Sequence, residues 1–182
     1  MSVRLFLLER YLPEALRRRM FRELVCQTAE AFGVTAPALH RLPREEGIAE
    51  FARFTRDEAA RALAAPSGSS AVRGRLFECA RAIGSRARRG LGVRRPAEAG
   101  RALRLLYGAI GINLDADPRN GEIVVSRCAF SCVYTPAVCE FISVLDAGLF
   151  SGLTGGMTLV FTQRITEGAP SCRARLIPRP VG

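Results

Sequence analysis

The stretch GINLDADPRNGEIVVSRC, residues 111–128, marks the point where the sequence changes character. It places two apolar runs on either side of DPRNG, a turn sequence that ends in Asn-Gly. Two such runs around an Asn-Gly turn predict a β-hairpin, because Asn and Gly readily adopt the positive φ angles of tight hairpin turns. The pattern before this hairpin is helical, whereas the pattern after it alternates between helix and strand.

The part before the hairpin, residues 1–108, repeats apolar side chains at helical spacing. The first stripe continues past Pro13 to a stop at Gly33, and Pro37 and Pro43 then bracket a linker that carries the only histidine, His40. A Ser/Gly-rich segment, PSGSS, predicts a turn or short loop. The predicted segments in order are helices over 5–32, 48–63, 71–89 and 96–107, with the PSGSS loop at 66–70.

The part after the hairpin holds one further helix and two further strands. Thr135 followed by Pro136 is typical of an N-cap and a first helical position, and this helix is predicted to end in the glycines at 152, 155 and 156. MTLVFTQRI at 157–165 and CRARLI at 172–177 read as strands around the turn TEGAPS.

These elements predict an α+β fold in a single domain, residues 1–182. A helical part, 1–108, packs on a small antiparallel sheet of strand–strand–helix–strand–strand order in the cysteine-containing part, 109–178.

The composition is that of a globular chain, with 48% hydrophobic and 24% charged residues. We expect no signal peptide, because Glu9 and Pro13 interrupt the first apolar run, and no transmembrane segment, because no window is long and apolar enough. The chain is therefore predicted to be cytoplasmic. Thiols are kept reduced there, so clustered cysteines indicate metal binding, catalysis or burial more than disulfides.

The formal charge of +10 comes from arginine alone, since the sequence contains no lysine. A positive field attracts carboxylates, phosphates, nucleic acid or an anionic membrane face, but solvated helix faces with more arginine than glutamate are the favoured explanation of the charge. The densest basic cluster has no interleaved aromatic residues and no recognition motif, which disfavours nucleic acid as a partner. That cluster comprises Arg86, Arg88, Arg89, Arg94 and Arg95.

Four cysteines of the second part are candidates for a site. Cys128 ends a predicted strand, Cys132 follows in a loop, Cys139 lies in the first turn of a helix, and Cys172 begins the last strand. Four thiolates can hold zinc or an iron–sulfur cluster, so zinc or iron is one alternative. The close CxxC pairs typical of such sites are absent, however, and His40 is far away in sequence.

A catalytic interpretation centres on Cys139. The field at a helix N-terminus lowers the pKa of a thiol, which predicts a reactive thiolate at this position. Asp146, seven residues on, is a candidate proton donor or acceptor, and Arg127 and Arg164 are candidate anchors for a substrate carboxylate. The alternative is that Cys139 is a small buried side chain in an apolar helix.

The segments RCAF at 127–130 and MTLVFTQRITEGAPSCRARL at 157–176, with Cys139 between them, carry a family resemblance. They resemble the L-2-amino-thiazoline-4-carboxylic acid hydrolase family over about the last sixty residues. The Arg164 to Cys172 spacing, with Gly168 between them, is the most specific part of this resemblance. The same layout is similar to the 4-vinyl reductase domain and, more distantly, to the C-terminal domain of plant carotenoid isomerases.

The hydrolase resemblance implies an enzyme that opens a C–N bond of a small, anionic, carboxylate-bearing heterocycle. Cys139 or Cys128 would be the nucleophile or site thiol and Asp146 would handle protons, while Arg164, Arg127 and Cys172 would bind the substrate. The 4-vinyl reductase resemblance implies instead a non-catalytic pocket for a hydrophobic or tetrapyrrole ligand. A basic nucleic-acid-binding module and a homo-oligomer stay open as further alternatives.

Overall fold

A computed structural model describes residues 3–117 and 121–178 of the chain. Within these ranges it contains six α-helices, four β-strands and two short 3-10 turns. The helices are α1 (Val3–Arg10), α2 (Glu14–Phe32), α3 (Arg44–Ala64), α4 (Pro66–Leu91), α5 (Pro96–Gly108) and α6 (Pro136–Thr154). The strands are β1 (Ile112–Asp117), β2 (Glu122–Cys128), β3 (Met157–Gln163) and β4 (Cys172–Pro178), and the 3-10 turns are Leu39–Arg41 and Ile165–Glu167.

The four strands form one antiparallel sheet in the order β1-β2-β4-β3. β1 and β2 pair as a hairpin, from Ile112 opposite Cys128 to Asp117 opposite Glu122, with a register shift after Asn113. The hairpin prediction is thus confirmed, although turn residues 118–120 lie outside the described ranges. β4 returns between β2 and β3. The predicted α+β class, with a helical N-terminal half and a small antiparallel sheet after it, is confirmed.

Two predictions in the helical half are wrong. PSGSS at 66–70 is not a loop, because these residues form the first turns of α4, and Ala65 alone separates α4 from α3. Pro66 occupies the start of the helix, where a residue without a backbone N–H is tolerated and its fixed φ already suits the helix. The stripe that crosses Pro13 belongs to two helices, since α1 ends at Arg10 and α2 begins at Glu14.

The start of α6 follows the sequence prediction closely. The Thr135 hydroxyl accepts a hydrogen bond from the backbone N–H of Val138 at 3.3 Å, as an N-cap does. The predicted end needs correction, because Gly152 lies inside the helix and Gly155, in the left-handed conformation, is the residue that ends it. β3 is also shorter than predicted and stops at Gln163.

α4 and α6 approach each other closely through glycine. A Cβ atom on Gly148 would overlap the carbonyl oxygen of Phe77, and one on Gly152 would overlap that of Arg81. A Cβ on Gly84 of α4 would in turn overlap the carbonyl oxygen of Leu149. Only residues without a side chain permit this backbone-to-backbone packing.

α6 is the central helix of the described structure. Phe141, Phe150 and Leu153 of this helix are almost fully buried, and the main apolar core draws on residues from α1 through β4. Among the described helices, α6 is the one long and apolar enough to cross a membrane by length and composition. Its packing against α4 accounts for that apolar character within the fold, since a helix buried in a core is apolar on several faces.

Candidate functional site

A cavity of about 540 Å³ lies between the helices and the edge of the sheet. This volume is within the range of small-molecule binding sites. The cavity reaches from α2 and α4 to the ends of β2 and β4, and most of its wall is aliphatic or aromatic. Representative apolar wall residues are Leu16, Met20, Ile83, Leu106, Phe130 and Leu149.

Three of the four candidate thiols line this cavity. Cys128 reaches it from the end of β2, Cys139 from the first turns of α6, and Cys172 from the start of β4. Cys132 is exposed and does not line the cavity, and its thiol donates to the carbonyl oxygen of Ala129 at 3.5 Å. All six cysteines are free.

The four-thiol metal set considered from the sequence is not assembled. Within residues 3–117 and 121–178, no three His, Cys, Asp or Glu side chains are grouped so that they could hold a metal ion. The exposed position of Cys132 takes it away from the other three thiols at the cavity wall.

A carboxyl–phenol pair is the main polar feature of the wall. The Tyr107 hydroxyl donates to Oδ1 of Asp146 at 2.6 Å, and the Tyr107 ring packs edge-on against Phe150 with centroids 5.9 Å apart. Burial raises the pKa of Asp146 from its ordinary value of 3.8 to about 6, although the hydrogen bond from Tyr107 and the charge of Arg164 oppose this rise. Burial also raises the pKa of Tyr107, which keeps the phenol protonated as the donor.

The lowered thiol pKa expected for Cys139 is wrong. Burial raises the pKa of Cys139, and the nearby Asp146 carboxylate raises it further, whereas Thr166 and Arg164 lower it only in part. Burial likewise raises the pKa of Cys172, and it raises that of Cys128 to about 12. Desolvation of a thiolate in this apolar wall outweighs the field of the α6 N-terminus, so all three thiols are neutral at pH 7.

Arg164 lies close to the thiols and Asp146 but does not line the cavity. Its Nη2 donates to Ser143 Oγ at 3.4 Å, its Nη1 lies 3.6 Å from Glu167, and its guanidinium stacks 4.6 Å from the centre of the Phe161 ring. Its buried Nε has no hydrogen-bond partner within the described structure. These contacts hold the guanidinium in place, where it lowers the pKa of Asp146.

The other predicted cationic residues lie elsewhere. Arg127 is exposed on β2 and is not among the cavity-lining residues, so the structure does not bring it to Cys139. Within the basic cluster, Arg86 forms an ion pair with Glu23 at 2.6 Å, and the Arg88 guanidinium packs on Gly155. Part of that cluster is therefore committed to contacts within the fold.

Sequence reasoning missed several polar wall residues. In the sequence, Tyr107 was interpreted only as an apolar position of the helix that became α5. Tyr134 belongs to no recognisable motif, and its hydroxyl lies 2.5 Å from Thr55 Oγ1 in the structure. Thr166 lies in the segment assigned to a turn, and its buried hydroxyl has no hydrogen bond of normal geometry in the described structure. A tyrosine that ends an apolar stripe was the available signal for Tyr107, because a buried phenol needs an acceptor.

Comparison with known proteins finds no matching family model, no matching curated protein and no matching solved structure. The family resemblances drawn from the sequence motifs therefore stay predictions.

Proposed function

We propose that this protein binds a predominantly apolar small molecule in the cavity between α2, α4, α5 and α6. The observation that carries the proposal is the cavity itself, with a volume of about 540 Å³ and a wall that is apolar apart from a few polar groups. Moving an apolar molecule from water into such a space is favourable, because it removes apolar surface from water on both sides. This function is the one implied by the likeness to the 4-vinyl reductase domain.

The polar groups of the wall suit the recognition of a hydrogen-bond donor. An ionised Asp146 carboxylate accepts from Tyr107 through Oδ1 and retains further acceptor capacity for a ligand hydroxyl or N–H. Holding a charged carboxylate in apolar surroundings is unfavourable, and the raised pKa of Asp146 is a consequence of this cost. Such perturbed groups cluster at functional sites, which supports a role for Asp146 in orienting the ligand.

The predicted thiol hydrolase is a second candidate, favoured by one specific observation. Asp146 has a pKa of about 6 and shares a cavity with three thiols, so it can exchange protons near neutral pH. The neutral state of the thiols weighs against this function, since the thiolate is the nucleophile. The described residues around the cavity also include no histidine that could take the thiol proton.

Binding is tested with 1-N-phenylnaphthylamine, a neutral probe that fluoresces strongly in apolar surroundings. We expect saturable fluorescence with the ligand-free protein and a loss of at least tenfold in affinity in Leu106→Trp, because the indole would fill part of the cavity. Leu63→Trp, at an exposed position outside the cavity, is the matched control and should bind normally. Equal binding by both variants, or no saturable binding at all, would overturn the proposal.

The hydrolase candidate is tested separately with L-2-amino-thiazoline-4-carboxylate. If it is correct, turnover should be measurable and should be lost when Cys139, Cys128 or Cys172 is replaced by Ala in a folded protein. Turnover that survives all three replacements contradicts a thiol mechanism. If the unaltered protein shows no turnover of this substrate, the hydrolase candidate fails and ligand binding is the function that stays proposed. Cytoplasmic location and self-association stay predictions from the sequence.

A further inference from the structure

The most exposed part of the cavity wall lies between α2 and α4, and we call this part the opening. Arg19, Arg86 and Gly90 are the exposed residues among the cavity-lining set that the structure describes, and the Glu23 side chain beside them is 42% exposed. A ligand can enter the cavity where its lining residues reach solvent. Arg19 and Glu23 belong to α2, whereas Arg86 and Gly90 belong to α4.

This opening is positively charged. Arg86 donates through Nε and Nη2 to Oε1 of Glu23 at 2.9 and 2.6 Å, so these two charges balance each other. Arg19 makes no hydrogen bond or ion pair with other described residues and therefore adds one uncompensated charge. Arg89, exposed one turn beyond Arg86, adds another and offsets the partial negative charge of the α4 C-terminus.

The arginines at the opening have donors available for a second acceptor. A guanidinium carries five N–H donors, and Arg86 uses only two of its nitrogen atoms on Glu23. A carboxylate or phosphate can therefore bind Arg86 without displacing Glu23. Arg19 lies one turn before Glu23 on the same face of α2, so it places a second guanidinium at the opening.

The interior of the cavity has the opposite character. The charged group that lines its inner end is Asp146, which is anionic above about pH 6, and the three wall thiols are neutral there. Arg164 behind this wall offsets the Asp146 charge only in part, since it does not line the cavity and already contacts Glu167. An anionic group placed beside Asp146 would be repelled in a poorly solvated space, where unpaired charges interact strongly. An anionic ligand group is therefore less favourable at the inner end, beside Asp146, than at the opening, beside Arg19 and Arg86.

We propose that the ligand is an amphiphile whose carboxylate or phosphate head is held at the α2–α4 opening by Arg19 and Arg86, with its apolar body inside the cavity. This inference rests on the proposed function and adds the class and orientation of the ligand. The two head groups share one chemistry, that of an oxyanion that accepts several N–H donors.

The test is displacement of 1-N-phenylnaphthylamine by four dodecyl compounds with one chain and different heads. Dodecanoate and dodecyl phosphate have anionic heads, dodecanol has a neutral head, and dodecylamine has a cationic head. Inorganic phosphate is added as a control that has the anionic group but no apolar chain. We expect at least one anionic compound to bind tenfold or more tightly than dodecanol, and the anion that binds better identifies the head group. Inorganic phosphate alone should not displace the probe.

Two variants with the same change in net charge locate the head group. Arg19→Gln with Arg86→Gln should weaken the binding of the anionic compounds by tenfold or more relative to that of dodecanol, so that the preference for an anionic head is lost. Arg127→Gln with Arg175→Gln alters two exposed arginines outside the cavity and should keep the preference. Higher salt should reduce the preference in the unaltered protein, because exposed charges are screened.

The outcomes separate this inference from the proposed function. Equal or tighter binding of dodecanol or dodecylamine overturns the anionic head, and an anion preference that persists in Arg19→Gln/Arg86→Gln overturns its location. If neither the probe nor any dodecyl compound binds, the proposed function itself has failed.

Discussion

Asp146→Asn should stabilise the ligand-free protein at neutral and alkaline pH but not at acid pH. Asn has the same shape, can still accept the hydrogen bond from Tyr107, and carries no charge that must be kept in apolar surroundings. The variant therefore isolates the effect of the carboxylate charge on the free energy of unfolding.

The magnitude follows from the two pKa values. The pKa of Asp146 is about 6 in the folded protein and 3.8 in its ordinary, unfolded setting. Between these values the folded state retains a proton that the unfolded state has released, so stability falls as the pH rises from about 4 to about 6. The difference of about two pKa units corresponds to about 3 kcal/mol, which is then constant above pH 6.

The assay is urea unfolding of both proteins at intervals between pH 4 and pH 8. Subtracting the two curves cancels the titration of other groups, so the stability advantage of Asp146→Asn should grow from about half a kcal/mol at pH 4 to about 3 kcal/mol at pH 7. Asp115→Asn alters a carboxylate that is 81% exposed and is the control, for which we expect a difference within about 0.5 kcal/mol. An Asp146→Asn advantage that is the same at pH 4 and pH 8 would refute the reasoning.

Two further predictions concern helix packing and thiol chemistry. Gly152→Ala should lower the free energy of unfolding by about 1–3 kcal/mol, because its Cβ would overlap the Arg81 carbonyl, whereas Gly74→Ala, in open space on α4, should raise it by about 0.5–1 kcal/mol. Urea midpoints measure both, and equal effects would contradict the close approach of α4 and α6. In the ligand-free protein at pH 8, iodoacetamide should modify exposed Cys132 readily and Cys128 very slowly, since a thiol of pKa about 12 is ionised in about one molecule in 10⁴. Mass spectrometry follows both sites, and comparable rates would contradict the burial of Cys128.

Local sequence signals predicted the elements whose cause is local. The Asn-Gly turn before Glu122 and the Thr135-Pro136 cap each act within a few residues, so the hairpin and the start of α6 were predictable. The loop prediction for PSGSS was wrong because Ser and Gly are common both in loops and at helix starts. Pro66, which suits the first position of a helix, was the one local signal for a helix start. Gly152 was predicted to end α6 because glycine is common at helix ends. The reason for a glycine inside this helix is the close approach of α4, which is distant in sequence and could not be predicted from the local pattern.

The candidate site was predictable in part. Cys128, Cys139, Cys172 and Asp146 were identified from spacing and resemblance, and all four line one cavity in the structure. Their protonation was not predictable, because it depends on how much protein surrounds each group and not on position along α6. The cavity and its opening at Arg19 likewise arise from the arrangement of helices distant in sequence.

The glycine contact between α4 and α6 determines which side of the cavity can adapt to ligands of different widths. Backbone atoms of the two helices are already in contact at Gly148 and Gly152, so the part of the wall formed by α4 and α6 is rigid and cannot move inward or repack. In α2, by contrast, Leu16 and Met20 line the cavity with flexible side chains that can change rotamer without moving a strand or the α4–α6 pair. Tolerance for bulkier ligands should therefore evolve through substitutions in α2, while α6 keeps its small residues.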